Sequence, residues 1–252
     1  MSKSKYNGSG MPDGSADIVV SLDTVSVTEQ RKPWTDWTNI KQAGIPRANL
    51  AITNVSSDGA TEPQGYTSEH AHETVLQQHV DFFDLNRDGV INPYETYIGF
   101  RLLQWGILLS LFATCVIHGG FSWFSLPPGH WLPDPLFRIY VGSINGAKHG
   151  SDTGTYDHEG RFRAQQFADF FAKYGKQQAD GSWGITYSQA LKGVRGQRCV
   201  MDPFGWFAEF FEWTATWLTI WPEDGIMRME DVRGVYDGSY FFKTAGDRRQ
   251  KY

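Results

Sequence analysis

The chain has 252 residues and a formal charge of −5, from 23 Lys and Arg against 28 Asp and Glu, with no basic stripe, so nucleic acid is not an expected partner. Its two cysteines, Cys115 and Cys199, stand far apart and form no CxxC pair, which argues against a disulfide framework or a zinc site and fits a reducing compartment. No apolar run follows the first lysines, and Ser2 stands where N-myristoylation needs glycine, so neither a secretory signal nor a myristoyl anchor is expected from these residues.

Residues 1–65 are rich in Ser, Gly, Pro, Thr and Asp and read as a flexible polar leader, with Leu50-Ala51-Ile52 as a docking point. A helix starting at Thr67 or Ser68 is expected to run into a loop at residue 84, within a unit spanning 66–101. On that helix Leu76, His79, Val80 and Phe83 fall at i, i+3, i+4 and i+7, which places His79 on the apolar stripe. A core histidine bonded to a carbonyl and a metal-ligating histidine both fit that position.

Residues 84–95 meet every requirement of a twelve-residue calcium loop. Asp84, Asn86 and Asp88 supply oxygens at positions 1, 3 and 5, Gly89 the sharp turn, Val90 a main-chain carbonyl, and Glu95 the closing bidentate carboxylate. Asn92 is placed to hold a bridging water and to cap the exiting helix, whose first position suits Pro93 because its N–H has no helical partner. Several oxygens at flexible distances suit Ca2+ better than Mg2+.

The exiting helix reads as continuous from Pro93 through Leu102 to Ile117, ending near Gly119-Gly120. Gln104, Ser110, Thr114 and His118 share one arc of it and the opposite arc is apolar. Pro127, Pro128, Pro133 and Pro135 then force a rigid turn, and Leu136–Val141 returns as a shorter arm. A crossing needs roughly 20 apolar residues, which only the first arm approaches, so residues 102–141 read as a hairpin dipping into one leaflet or a droplet monolayer. A buried core helix is the competing reading.

In 142–252, aligning Gly160 with the turn glycine puts Thr155, Asp157, Glu159 and Gln166 at loop positions 1, 3, 5 and 12. Without the closing carboxylate this is a degenerate loop that binds no calcium, expected to stack on the first through Ile91 against Phe162. Phe162, Phe167, Phe170 and Phe171 mark the following helix as core. Weaker repeats precede helices near Tyr187 (Asp180-Gly181) and Asp231 (Asp224-Gly225). Between them Asp202 and Pro203 start a helix whose Trp206, Phe210, Trp213 and Trp217 form one aromatic face, read as core rather than cofactor box or as a membrane-interface face. The fold class is therefore mainly α: EF-hand-like helix-loop-helix units, one good and others degenerate, with an inserted apolar helical hairpin and proline turn.

An ordered set of motifs resembles the caleosins. It comprises Leu76 to Asp84 joined to a single good calcium loop, Tyr94-Glu95-Thr96-Tyr97, the apolar segment with its proline turn, Lys148-His149-Gly150-Ser151-Asp152, Tyr156 to Phe162, and Val235-Tyr236-Asp237-Gly238-Ser239. The proline turn departs from the more compact family spacing by interposing Gly129 to Leu132. The resemblance implies calcium binding at lipid droplets or endoplasmic reticulum membrane, monotopic and facing the cytosol, and a haem b peroxygenase in which His79 and His149 ligate haem. Because a hydroperoxide must reach iron, one of the pair is expected to be the permanent ligand and the other to leave or act as an acid-base group, with His79 the choice for the first role. Implied substrates are a fatty-acid hydroperoxide and an unsaturated fatty acid; a homo-oligomer stays open. A non-catalytic, calcium-responsive tether of lipid droplets fits the same loop and hairpin, and haem content separates the two. His118 and His130 are rival ligands by position. A soluble calcium sensor fits poorly with the apolar run from 102 to 126.

Overall fold

A computed structural model describes residues 52–53, 66–70 and 72–251 of the chain. Most of the expected leader, with Leu50 and Ala51, lies outside the described residues; Ile52–Thr53 form strand β1. The entry helix is two pieces, α1 (Tyr66–His70) and α2 (Val75–Asp81), not one. Thr74 explains the restart. Its hydroxyl accepts from the Gln77 amide and the Gln77 side chain accepts from the Thr74 amide, a reciprocal cap that begins a new helix. After the loop come β2 (Val90–Ile91) and α3 (Pro93–Leu102), with Asn92 at the N-cap and Pro93 in the first turn as expected.

The exiting helix also breaks, against the expectation of one continuous element. Helix α3 ends at Leu102 and α4 spans Ile107–Phe121. Gln104 takes a left-handed φ of +69°, while the Gln104 amide donates to the Arg101 carbonyl and the Trp105 amide to that of Phe100. This is a Schellman termination, completed by Trp105 packing on Phe100 with ring centroids 4.6 Å apart. Hydropathy runs straight through the break because the residues that end the helix are themselves apolar, and the left-handed one is not glycine.

Strand β3 (Ile139–Tyr140), on the return arm of the hairpin, pairs antiparallel with β2, Ile91 opposite Ile139. Ile91 therefore does not meet Phe162. The return arm arrives first, and the Val141 amide extends the ladder to the Gly89 carbonyl. Phe162 lies in β4 (Phe162–Arg163), which pairs with β1. Then follow α5 (Ala164–Tyr174), β5 (Lys176–Gln177), β6 (Trp183–Ile185), α6 (Tyr187–Gly196), α7 (Pro203–Ile220), β7 (Met227–Arg228), α8 (Met229–Tyr236) and α9 (Ser239–Ala245). Pairing of β6 with β7 joins the two C-terminal loops through short strands, as the internal-repeat reading expects.

Two apolar clusters hold the molecule together. One gathers Phe82, Phe83, Phe100, Trp105, Ile139 and Phe241; the other Phe167, Phe170, Phe171, Trp213, Met227 and Val232. The four phenylalanines expected in the core around α5 are all buried. Of the expected aromatic face of α7, Trp213 is buried and stacks on Phe170 at 5.0 Å and Trp217 packs beside it, but Trp206 and Phe210 are exposed. The helix is too long for its whole stripe to reach one core.

Helix α4 is inverted. Ser110, Thr114 and His118 are buried, whereas Ile107, Leu111 and Phe112 are exposed and Leu108 is 82% exposed. Ser110 and Thr114 hydroxyls donate to carbonyls one turn back. His118 donates from Nδ1 to the Phe137 carbonyl and accepts at Nε2 from Thr96, tying α4 to α3 and to the return arm. Fifteen residues span about 22 Å against a hydrocarbon core of about 30 Å, and no helix among the described residues is long and apolar enough to cross a membrane.

Candidate functional site

Between the two clusters lies an apolar cavity of about 660 Å3, roofed by α4 and walled by α2, α7 and α8. His79 and His149 both line it. His79 sits deep in the protein and the surface it retains is turned to the cavity. Its Nδ1 is 2.6 Å from the Val235 carbonyl. A carbonyl only accepts, so Nδ1 carries the hydrogen and Nε2 keeps a lone pair. Burial lowers the His79 pKa, which keeps that nitrogen unprotonated at neutral pH. Phe241 packs edge-on against the ring.

His149 belongs to a segment pinned at both ends. Lys148 pairs with Asp152 at 2.7 Å. The Ser151 amide and hydroxyl donate to Asp202, whose other oxygen accepts from the Gly205 amide at the start of α7. The Ser151 hydroxyl holds the Asp202 carboxyl below its ordinary range despite burial. The cap of α7 thereby positions the loop that carries His149. Its Nε2 is 3.3 Å from Glu212 Oε1, and Nδ1 is buried with no hydrogen-bond partner.

Glu209 and Glu212 were not singled out by the sequence reading. Both line the cavity, and with His149 they bring one ligand atom each within 4.8 Å of one another. Burial pushes the Glu209 carboxyl well above its ordinary range, with the Glu212 charge adding to the effect. Its Oε1 accepts from Trp213 Nε1. The signal was present: these are the only two charges in the otherwise uncharged stretch 203–220, spaced i, i+3 on one helix face.

His118, whose two nitrogens are both bonded, and His130, exposed on the proline turn, do not line this cavity. Two histidines, one on α2 with Nε2 free and one in the 148–152 segment, line one apolar space and would suit a cofactor held by imidazole.

In the loop 84–95, Gly89 takes φ +78°. Asp84 accepts from the amides of Asp88 and Gly89, and Asp88 from that of Val90. The Asp84 carboxyl is raised by burial and by the charges of Asp88 and Glu95, against the pull of those amides. Glu95 is buried and accepts from the Asn92 amide. These are the acceptors the sequence assigned to a cation, with Glu95 turned to the Asn92 cap.

The family model described as "Caleosin related protein" matches residues 71–245. The chain belongs to the caleosin family. It is 34% identical over 242 residues to a protein of Lilium longiflorum named "Peroxygenase", covering 95% of this chain and 96% of that one. It is 37% identical over 183 residues to "Probable peroxygenase 4" of Arabidopsis thaliana, covering 71% and 89%. A "Probable inactive peroxygenase-like protein" of the same plant is 31% identical over 147 residues, 57% of this chain and 66% of the relative. No solved structure matches the chain. The family match covers α2, the loop, the hairpin and both histidines of the cavity.

Proposed function

We propose that this caleosin is a calcium-dependent haem peroxygenase, using fatty-acid hydroperoxides to epoxidise or hydroxylate unsaturated lipids at a lipid-droplet or membrane surface. The carrying observation is that His79, with Nε2 free of any protein partner, and His149, with Nδ1 unpartnered, line the same apolar cavity. Two relatives bear peroxygenase names, and the family makes a lipid surface the natural setting.

His79 is the permanent ligand, because Val235 fixes its ring with Nε2 free and burial keeps it neutral. His149, on the same cavity, would be the exchangeable partner. Bound haem b supplies the chemistry that breaks the O–O bond of a hydroperoxide, which leaves as the alcohol while the other oxygen passes to an alkene or C–H bond. The protein supplies the rest. Its apolar walls orient acyl chains and exclude water. Glu209 accepts at Oε1 from Trp213, and burial favours its protonated form, which would serve as an acid where a hydroperoxide oxygen departs.

Asp84, Asn86, Asp88, the Val90 carbonyl and Glu95 hold Ca2+. His79 stands five residues before Asp84, so ordering the loop steadies the end of the helix that carries the ligand. The exposed face of α4, continued by Trp131 and Leu132 at 86% and 83% exposure, lies on the lipid.

The test is the visible spectrum of detergent-solubilised protein produced with ample haem, with haem and total iron quantified per chain. A Soret band near one haem per chain, lost in His79→Ala together with activity, is expected. Neither haem nor iron would leave the calcium-responsive tether. Iron without porphyrin would point to a bare ion on His149, Glu209 and Glu212, the second arrangement the geometry favours.

A further inference from the structure

The two cavity histidines are not held alike. His79 donates from Nδ1 and leaves Nε2 open, whereas His149 has Nε2 against a carboxylate and Nδ1 buried without a partner. A carboxylate oxygen accepts, so the 3.3 Å contact to Glu212 Oε1 places the His149 hydrogen on Nε2. In the neutral ring the remaining lone pair is then on Nδ1; burial disfavours the charged ring, but the Glu212 carboxylate outweighs it and raises the His149 pKa. The His149 side chain is only 6% exposed, so water does not satisfy that nitrogen from bulk, and an unpaired buried polar atom is costly unless a ligand completes it.

We propose that Glu212 is a positioning residue that locks the neutral His149 in the Nε2–H tautomer, so that Nδ1 is its nitrogen for a ligand while His79 offers Nε2. The tautomer follows from the hydrogen bond itself; its meaning for an iron ligand rests on the peroxygenase reading. The two nitrogens are not equivalent. Nε2 is the far corner of the ring, whereas Nδ1 is bonded to Cγ and lies next to Cβ and the main chain, so anything bound there is crowded by the residue's own backbone. A ligand bond through Nδ1 is sterically the weaker of the two, which assigns permanence to His79 and exchange to His149 on geometry. The surroundings of His149 agree. Phe204 stands edge-on to the ring at 6.3 Å, and Lys148, the nearest cation along the chain, is engaged with Asp152.

The test uses the full chain, labelled with 15N-histidine, first free of haem and then loaded, at alkaline pH where imidazole is neutral. His149→Ala assigns the resonances. Two-bond 1H–15N correlation is expected to show His149 with Nε2 protonated and Nδ1 of the unprotonated type. In Glu212→Ala the two tautomers should mix, and Glu212→Gln, whose amide oxygen still accepts, should restore the single one. With haem, Glu212→Ala should weaken binding by about tenfold, the lower end for an outer-shell partner, with rescue by Glu212→Gln. An Nδ1–H tautomer in the parent protein, or one unchanged in Glu212→Ala, overturns the proposal. If the variant unfolds, the Gln variant and the parent spectrum decide it alone. The expected tautomer in a protein that takes up no haem would uphold this inference and sink the haem reading.

Discussion

Two loops flank helix α2, one after it and one packed against its start, and they share a backbone. Gly89 in loop 84–95 and Gly160 in loop 155–166 both take φ +78°. In the first, the acidic side chains bond only to amides. In the second, Asp157 accepts from the amides of Glu159 and Arg161 and pairs at 2.6 Å with the Arg161 guanidinium, so a side chain of the loop supplies positive charge to the carboxylate. The Gly160 carbonyl accepts from the Leu76 amide, and a Cβ on Gly160 would lie 3.1 Å from both Thr74 Oγ1 and Leu76 Cβ. The second loop has become a buttress for the helix that carries His79. One loop geometry serves two ends, and the difference rests on what stands opposite its acids and what packs on its glycine.

The largest effect that breaks this comparison is Glu95→Gln, which removes the closing carboxylate. Calcium affinity measured by calorimetry should fall about 100-fold, or ~2.7 kcal/mol. Haem retention should weaken with it, while the same change made at Glu159 should leave calcium binding intact.

Alanine in place of each turn glycine sharpens the contrast. Gly89→Ala meets no atom within 4 Å and should cost about 1 kcal/mol for the left-handed backbone alone. Gly160→Ala adds contacts to Thr74 and Leu76 and should cost about 2–3 kcal/mol in urea unfolding. Equal costs would mean that the second loop does not support α2.

Smaller still, Arg161→Ala leaves Asp157 with amide partners only and should destabilise by about 0.5–1 kcal/mol, as a partly exposed ion pair does. Combined with Gln166→Glu, it should raise the calcium affinity of the second loop, measured by calorimetry.

The smallest effect concerns the strand partner of the first loop. Burial works against ionisation of Asp134, yet hydrogen bonds from the Tyr140 hydroxyl, the Leu136 amide and Arg138 outweigh it and hold the carboxyl below its ordinary range. The unfolded chain binds the proton more tightly, so this contribution is present above the unfolded pKa and lost as pH falls through the folded one. Stability should therefore drop more steeply with acid in the parent than in Asp134→Asn, measured by denaturant titration below about pH 4.

What the sequence disclosed, it disclosed through local chemistry. Asn92 and Pro93 start α3, Thr186 starts α6 at Tyr187, and Asp202 starts α7, because each cap is a bond between residues three or fewer apart. The spacing that put His79 on the apolar stripe also put it on the cavity wall. The break at Gln104 stayed hidden because its signal is a left-handed residue with an ordinary side chain. The pairing of Ile91 with Ile139 depends on where a long hairpin returns, which no local window records. Glu209 and Glu212 were legible as lone charges, but their tie to His149 spans 60 or more positions of chain and needed the fold.

The inverted polarity of α4 has a practical corollary. With hydroxyls and imidazole inside and leucines outside, α4 should make the protein's state in solution depend on how much interface is on offer. Clumping in plain buffer is then a report on missing interface and not on a damaged fold, and adding lipid surface should disperse it without any refolding step.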